Sequence, residues 1–332
     1  MGRCVALLAL LGACGGDAMT GDAAGSDGGS DARADSALDS GVDARPPDAA
    51  SDASAPDAGA DGALDAPTDA SDAGRPDGLL ALTMNLRNAF IDSATAEMRL
   101  DMVTTLIEAR RPDVVALQEV TEIGGEPNLA EQLAARTGYE YVWEVTHEVP
   151  FAFNEGIAVL SRGSIRESMA MALPHTELGG LLTRAVLYAL VETPLGDVPF
   201  FATHLTTDED DDRKADQAAA VLGFMEPRHA VMPGVLGGDM NAEPDRLAMR
   251  VLRGEDAHMG IRGDLVDSWA EVAGGDPGPT FPSDAPERRI DYLYAVPGTD
   301  ASWTVVSCER VLTEPEGTVY ASDHVGVLCL FE

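Results

Sequence analysis

The chain from Gly78 onward predicts an α/β fold, a sandwich of mixed β-sheets with helices outside it. Three observations carry this. Short apolar runs of strand length end abruptly in polar residues. These runs outnumber segments of helical period by roughly two to one. Some neighbouring runs are close enough for hairpins, whereas others are separated by a helix-length crossover. This part contains no second set of runs that would need another core, no internal repeat and no membrane-length apolar stretch.

In chain order, Leu79–Asn85 (LLALTMN) is an apolar run that closes on polar residues, as a buried strand does at its end. Apolar residues then recur at Met98, Met102, Val103, Leu106 and Ile107 with helical spacing, until Arg111-Pro112 stops the helix. Val114–Leu117 is the next buried strand, which completes a strand, helix, strand unit. Further strands are predicted over Glu140–Val145, Gly156–Ser161, Arg184–Glu192, Val198–His204, Gly234–Asp239, Ile290–Ala295, Ser302–Val311 and Val325–Phe331. Helices are predicted over Leu129–Thr137, Asp212–Met225 and Arg246–Arg253.

Residues 1–77 differ in kind. They hold 15 acidic and 4 basic side chains, and Asp, Ala, Ser, Gly and Pro recur with almost no aromatics. Such a segment cannot bury enough apolar surface to offset the entropy of ordering it, so residues 15–77 are expected to be a disordered, charge-extended tether. Before it, Met1-Gly2-Arg3 and the apolar run Cys4–Ala13 have the form of an export signal, too short to span a bilayer. Leu11-Gly12-Ala13-Cys14 resembles the lipobox of bacterial lipoproteins, which implies a lipid on Cys14. The expectation is residues 1–14 as signal, a membrane anchor at Cys14 and an outer-membrane lipoprotein facing periplasm or surface. A cleaved signal and a secreted protein is the alternative.

Residues 78–332 form the remaining domain, expected to be monomeric. They retain 42 acidic and 18 basic side chains, near −24, with Lys214 the only lysine. Nucleic-acid binders carry a basic stripe that releases counterions from phosphates, so long nucleic acid is disfavoured as a substrate. Cys308 and Cys329 fall on neighbouring terminal strands and could pair in an exported protein, with two buried thiols the equal alternative. No Cys/His cluster indicates structural zinc.

Six segments border a predicted strand, four at its end and the last two at its entry, with residues able to hold a metal or a phosphate: Asn85-Leu86-Arg87, Gln118-Glu119, Thr203-His204, Gly237-Gly238-Asp239-Met240-Asn241, Arg289-Ile290-Asp291-Tyr292 and Ser322-Asp323-His324. Taken singly, each has an ordinary reading: a turn-forming Asn, a solvated Glu, a core His. Glycines ahead of Asp239 allow close backbone approach, and a carboxylate beside an imidazole can hold a cation on one side and place a proton on the other.

In this order and spacing the segments resemble the signature of the endonuclease/exonuclease/phosphatase superfamily, over roughly 250 residues. Phe153–Arg162 and Asp267-Ser268-Trp269 resemble further segments of it. The resemblance implies a four-layer sandwich of two mixed β-sheets flanked by helices, and a phosphoester hydrolase using in-line attack of an activated water. It implies Glu119 as the acidic metal ligand, with Asn85 and Asp323 close to metal and phosphate. Asp239 is then the residue that orients or deprotonates water, and Asn241 holds a phosphate oxygen. His324 pairs with Asp291, and His204 stabilises charge in the transition state. Oxygen ligands without thiolates select a hard cation, Mg²⁺ first, with Mn²⁺ or Ca²⁺ possible.

Arg87 departs from the apurinic endonucleases, which carry Asp there, so abasic-site repair is disfavoured. Arg87, Arg184 and Asn154 are candidates for substrate phosphate contacts. Asp208–Asp212 is expected to be a solvated loop at a helix N-terminus, and Thr280–Pro286 a stiff loop beside the Asp291 strand. His147, His175, His229 and His258 lack a partner pattern and are expected at the surface. The leading expectation is a metal-dependent phosphodiesterase or phosphatase acting on a small or lipid-borne ester outside the cytoplasm. A secreted nuclease comes second, and a non-catalytic surface-binding lipoprotein third.

Overall fold

The computed structural model describes residues 77–177, 182–229 and 231–332. The signal with Cys14 and the tether, Asp77 apart, lie outside the described residues. The first half of the domain runs β1 (Leu79–Asn85), α1 (Ala96–Arg110), β2 (Val114–Ile123), α2 (Leu129–Thr137), β3 (Glu140–Val149), β4 (Phe153–Ser161) and β5 (Ile165–Ala172). It continues through β6 (Ala185–Thr193), β7 (Gly196–His204), α3 (Asp211–His229), β8 (Gly234–Asp239), α4 (Leu247–Leu252), β9 (Val266–Asp267), α5 (Ser268–Val272), β10 (Asp291–Val296), β11 (Val305–Val311) and β12 (Gly326–Phe331).

The strands form two six-stranded sheets, ordered β11-β12-β1-β2-β4-β3 and β5-β6-β7-β8-β10-β9. Each sheet holds one parallel pair, β1 with β2 and β7 with β8, and the other pairings are antiparallel. Parallel neighbours need a crossover, and α1 and α3 supply them. The registers place the end of β1 beside Gln118, one residue before Glu119, and the ends of β7 and β8 level at His204↔Asp239.

Strand alternation then sorts the side chains. Leu79, Ala81, Val114, Ala116, Phe200, Ala202, Val235 and Leu293 fill the space between the sheets. Leu80, Leu82, Met84, Val115 and Leu117 face α1 and α2, against Leu100, Val103, Ile107 and Leu133. Phe201, Leu236, Tyr292 and Tyr294 face α3 and α4 in a third cluster. The layers are therefore helix, sheet, sheet, helix, as the resemblance implied.

Small residues let the sheets close. A Cβ on Gly237 would lie 3.0 Å from Ala116 Cβ and 3.0 Å from Leu293 Cδ2, both between the sheets. A Cβ on Gly238 would lie 2.2 Å from the carbonyl oxygen of Thr203 on the parallel neighbour. The two glycines before Asp239 thus serve close approach, one to the facing sheet and one to the adjacent strand.

The helix ends follow local rules. Asn128 caps α2 by accepting from Glu131 N at 2.9 Å, and Gly138 closes it at φ 76. β5, β9 and α5 were not expected. β5 lies at a sheet edge with a largely exposed face, so its sequence IRESMAMA lacks a buried apolar row. β9 and α5 are two and five residues long, too short to carry a period. Cys308 and Cys329 face each other in the β11–β12 register and are joined as a disulfide. Among the described residues no helix is long and apolar enough to cross a membrane.

Filling the space above Gly237 should cost stability before it alters chemistry. Gly237→Val is expected to destabilise the domain by about 1–3 kcal/mol through overpacking. Urea unfolding would measure this, and an unchanged midpoint would show that the sheets do not meet there.

Candidate active site

The alternation that fills the core also places the polar residues. Asn85, His204, Asp239 and Asp291 continue the inward-facing rows of β1, β7, β8 and β10 to the strand ends, where apolar filling gives way to a cleft. Glu119 reaches the same place by a different device. The register of β2 against β4 slips between Leu117 and Val120, and Glu119 takes φ 55, so this bulge re-aims its side chain.

Asn85 is fully buried and ties the two sheets together. Its Nδ2 donates to Glu119 Oε1 and to Asp239 Oδ2, each at 3.1 Å. Glu119 Oε2 accepts the backbone N–H of Asn88 at 2.8 Å. Asp239 Oδ1 accepts the backbone N–H of Asn241 at 2.9 Å. Asn241 is held at φ 48, and its Nδ2 donates to the carbonyl of Leu205 at 3.0 Å. Beneath it the buried Lys214 donates to the Asn241 carbonyl.

Two histidines stand beside Asp239. His204 Nε2 lies 3.5 Å from Asp239 Oδ2, and His324 Nε2 lies 3.7 Å from the same oxygen. His324 Nδ1 faces Asp291 Oδ2 at 2.9 Å, and the ring packs against Phe281 with centroids 4.9 Å apart. Thr280 Oγ1 accepts from Asp291 N at 3.2 Å, so the Thr280–Pro286 loop borders the site.

The electrostatics distinguish the two rings. Burial works against a charged His324, but Asp291 and then Asp239 outweigh it and push the imidazole up to about 10. His204 is held well below its ordinary range by burial and then by the charges of Arg184 and His324. At neutral pH His324 is therefore a cation and His204 is neutral. Burial, then the charge of Asp291, pushes the Asp239 carboxyl up to about 7, against the opposing pull of His324, Asn241 and Asn85.

Donor atoms of Asp239, Asp291 and His324 lie within 4.8 Å of one another, a spacing that suits a cation. Yet a protonated imidazole has no lone pair to give, and its own charge already sits between the two carboxylates. The carboxylate of Glu119 makes the better cation ligand, with Asn85 beside it, its Nδ2 toward Glu119 and its Oδ1 accepting from Arg87 N at 2.9 Å. Glu155 lies behind this carboxylate: burial and then the charge of Glu119 push its carboxyl up to about 8, and a hard cation there would favour its ionised form.

Of the remaining candidates, Arg184 is buried, bonds Glu177 Oε1 at 2.9 Å and acts electrostatically on His204 and Glu155. Arg87, at φ 56, is half-exposed on the rim, 3.8 Å from Asp92 and 3.9 Å from Asp323. Asp323 thus faces Arg87 through Oδ2 and accepts from Ser322 Oγ at Oδ1, at 3.2 Å. Asn154 is not drawn into the cluster, because its Nδ2 donates to Glu122 Oε2 at 2.8 Å on the opposite face of β4 from Glu155.

Glu155 and Asn88 were missed. Asn88 Nδ2 donates to Glu155, and the Asn88 backbone N–H holds Glu119, so the pair orients the proposed metal ligand from behind. The signal was present, since Glu155 abuts a buried strand as Glu119 does. His147 is not at the surface: it is buried 3.5 Å from Glu155 and lowered to about 4 by burial and the charge of Arg184. His175 and His258 are half-buried and both bond Asp216, while the side chain of His229 lies outside what is described.

Among solved structures, an endonuclease/exonuclease/phosphatase from Beutenbergia cavernae DSM 12333 is similar, at 26% identity over 76% of this chain and 71% of its own, with a TM-score of 0.59. TDP2 of D. rerio complexed with a single-strand DNA product shares 19% identity over 77% of this chain and 100% of its own, with a TM-score of 0.62. A mannosyl-6-phosphatase of Bacteroides thetaiotaomicron VPI-5482 shares 20% identity over 76% and 99%, with a TM-score of 0.59. Curated proteins give no match. A model of the Endonuclease/Exonuclease/phosphatase family, whose superfamily consists of metal-dependent phosphoester hydrolases, matches residues 82–324. That span opens inside β1 and closes on His324, enclosing every side chain of the cleft, and the chain belongs to the endonuclease/exonuclease/phosphatase family.

Proposed function

We propose that this chain hydrolyses a small or lipid-borne phosphate ester outside the cytoplasm, with Mg²⁺ as the preferred metal and Mn²⁺ or Ca²⁺ as substitutes. The observation that carries the reading is the meeting of Asn85, Glu119, Asp239, Asn241, His204 and the Asp291–His324 pair at one edge of the two sheets. Glu119 would hold the cation, with Asn85 close beside it and Asp323 near the rim. When bound, the cation neutralises charge developing on the phosphoryl oxygens.

Asp239, with a carboxyl near neutrality, is suited to orient water and take its proton as it attacks phosphorus in line. Asn241 presents its amide edge to a phosphoryl oxygen. The His324 cation, held by Asp291, is the group best able to meet negative charge in the transition state. His204, being neutral, contributes as a hydrogen-bond partner rather than as a charge. Arg87 and Arg184 add positive potential for the phosphate.

The charge near −24 of residues 78–332 favours compact esters over polyanions. Export and an anchor at Cys14 are part of the proposal, and the Cys308–Cys329 disulfide suits an oxidising compartment. A secreted nuclease is the second reading, favoured by Arg87 and by the single-strand DNA product bound to the D. rerio relative. Offering the purified chain plasmid DNA, a sphingomyelin emulsion, sugar and inositol phosphates and bis-p-nitrophenyl phosphate, with Mg²⁺ or EDTA, separates these. Metal-dependent cleavage of small esters without nicking supports the first reading. Rapid nicking supports the second, and silence on all substrates would point to a binding lipoprotein.

Asp239→Asn and His324→Ala are expected to lower turnover of bis-p-nitrophenyl phosphate by about 10²–10⁴-fold with the fold intact. Wild-type rates in either would remove the assigned roles. Glu155→Gln should raise the metal concentration needed for half-maximal activity by about 10-fold or more while largely sparing the rate at saturating metal.

Protons and cations compete for the same carboxylates. Asp239 and Glu155 have folded values of about 7 and about 8, above their ordinary 3.8 and 4.5. Their protonation therefore stabilises the metal-free fold fully below those ordinary values, and this stability is lost as pH rises through 7 and 8. A thermal melt with added Mg²⁺ or Mn²⁺ should show a larger gain at pH 8 than at pH 5. An equal gain at both would contradict a cation held by these groups.

A further inference from the structure

Outside the catalytic cleft, side chains from three separate segments meet on one carboxylate. Asp216, in the second turn of α3, is bonded at Oδ2 by His175 Nε2 at 2.6 Å and at Oδ1 by His258 Nε2 at 2.7 Å. His175 belongs to the β5–β6 connection and His258 to the α4–β9 connection. Their side chains are 33% and 18% exposed and that of Asp216 is 26% exposed, so solvent reaches the cluster although each group is fixed by its partners. We propose that His175, Asp216 and His258 form a second cation site, for a borderline transition metal of the zinc class.

Two imidazoles and a carboxylate are a donor set that favours Zn²⁺, Ni²⁺ or Cu²⁺ over Mg²⁺ and Ca²⁺, the reverse of the oxygen-rich Glu119 site. His175 and His258 already fix the Asp216 carboxylate, one on each oxygen. In the metal-free arrangement each ring shares an Nε2 proton with a different carboxylate oxygen. As they stand the three donor atoms do not all lie within 4.8 Å of one another, so a cation would require the rings to turn inward on Nε2, each keeping one proton on Nδ1 and any second proton passing to solvent. Partial exposure permits that movement and leaves room for water to complete the coordination.

The position gives the site a consequence. Asp216 lies between Lys214, which holds the Asn241 carbonyl, and Gln217, which bonds Thr206 N and the Pro174 carbonyl at 2.8 Å each. A cation on Asp216 would fasten the same segments from outside, stabilising the frame behind the catalytic loops without touching substrate.

The test uses the full chain without a histidine tag, stripped with EDTA and kept in excess Mg²⁺ to saturate hard oxygen sites. Zn²⁺ titration by calorimetry should show one ion per chain and a rise in melting temperature. His175→Ala and His258→Ala, on different loops and checked for folding by circular dichroism, should each weaken Zn²⁺ by more than the ~10-fold typical of losing an outer partner. Hydrolysis of bis-p-nitrophenyl phosphate without Zn²⁺ should be unchanged in both. Absence of Zn²⁺ binding, wild-type Zn²⁺ affinity in either variant, or loss of the Zn²⁺ site in Glu119→Gln would overturn the proposal.

Discussion

The buried carboxylate of Asp239 is the constraint on which the rest of the site depends. It sits 1% exposed at the end of β8, where an ion is costly unless partners surround it. Asn85 reaches it from the other sheet, the Asn241 backbone from its own strand end, and His204 and His324 from its flanks. Asn85, Asn241 and His324 each have a second tether, to Glu119, Leu205 and Asp291 respectively, so the carboxylate organises a network and does not stand as an isolated charge. This arrangement leaves Asp239 near neutrality and His324 charged, a separation of roles that a shared solvent-exposed cluster would not maintain.

That network exists because two crossover units bring their strand ends to one edge. The unit β1-α1-β2 supplies Asn85 and Glu119, and the unit β7-α3-β8 supplies His204 and Asp239. Close sheet approach is needed for Asn85 to bridge them, and Gly237 with Ala116 provides it. The structural glycine and the chemical aspartate are two residues apart for this reason.

The protein carries its charge unevenly in function as well as in number. Its composition holds one lysine and a large acidic excess. Lys214 itself is buried beneath the catalytic loops, where it supports Asn241 and is not available as a surface contact. In the proposed reaction, positive potential near the phosphate would rest on His324, Arg184 and Arg87, and on a cation at Glu119.

Much of this was legible in the sequence, for a definite reason. Strand alternation and helix punctuation are local, so β1, β8, α1 and α2 fall where apolar spacing and Pro112 or Gly138 place them, and the polar strand ends stand out against their runs. Cys308 and Cys329 could be placed on neighbouring strands, but not joined, without the register. What only tertiary structure decided is which strand ends meet and what each ring does there. His147 looked solitary because its partner Glu155 comes from the adjacent strand, and Asp216 gathers two histidines from distant loops. The protonation of His324 against the neutrality of His204 depends on burial and on charges far away in the chain, quantities that no spacing in the sequence encodes.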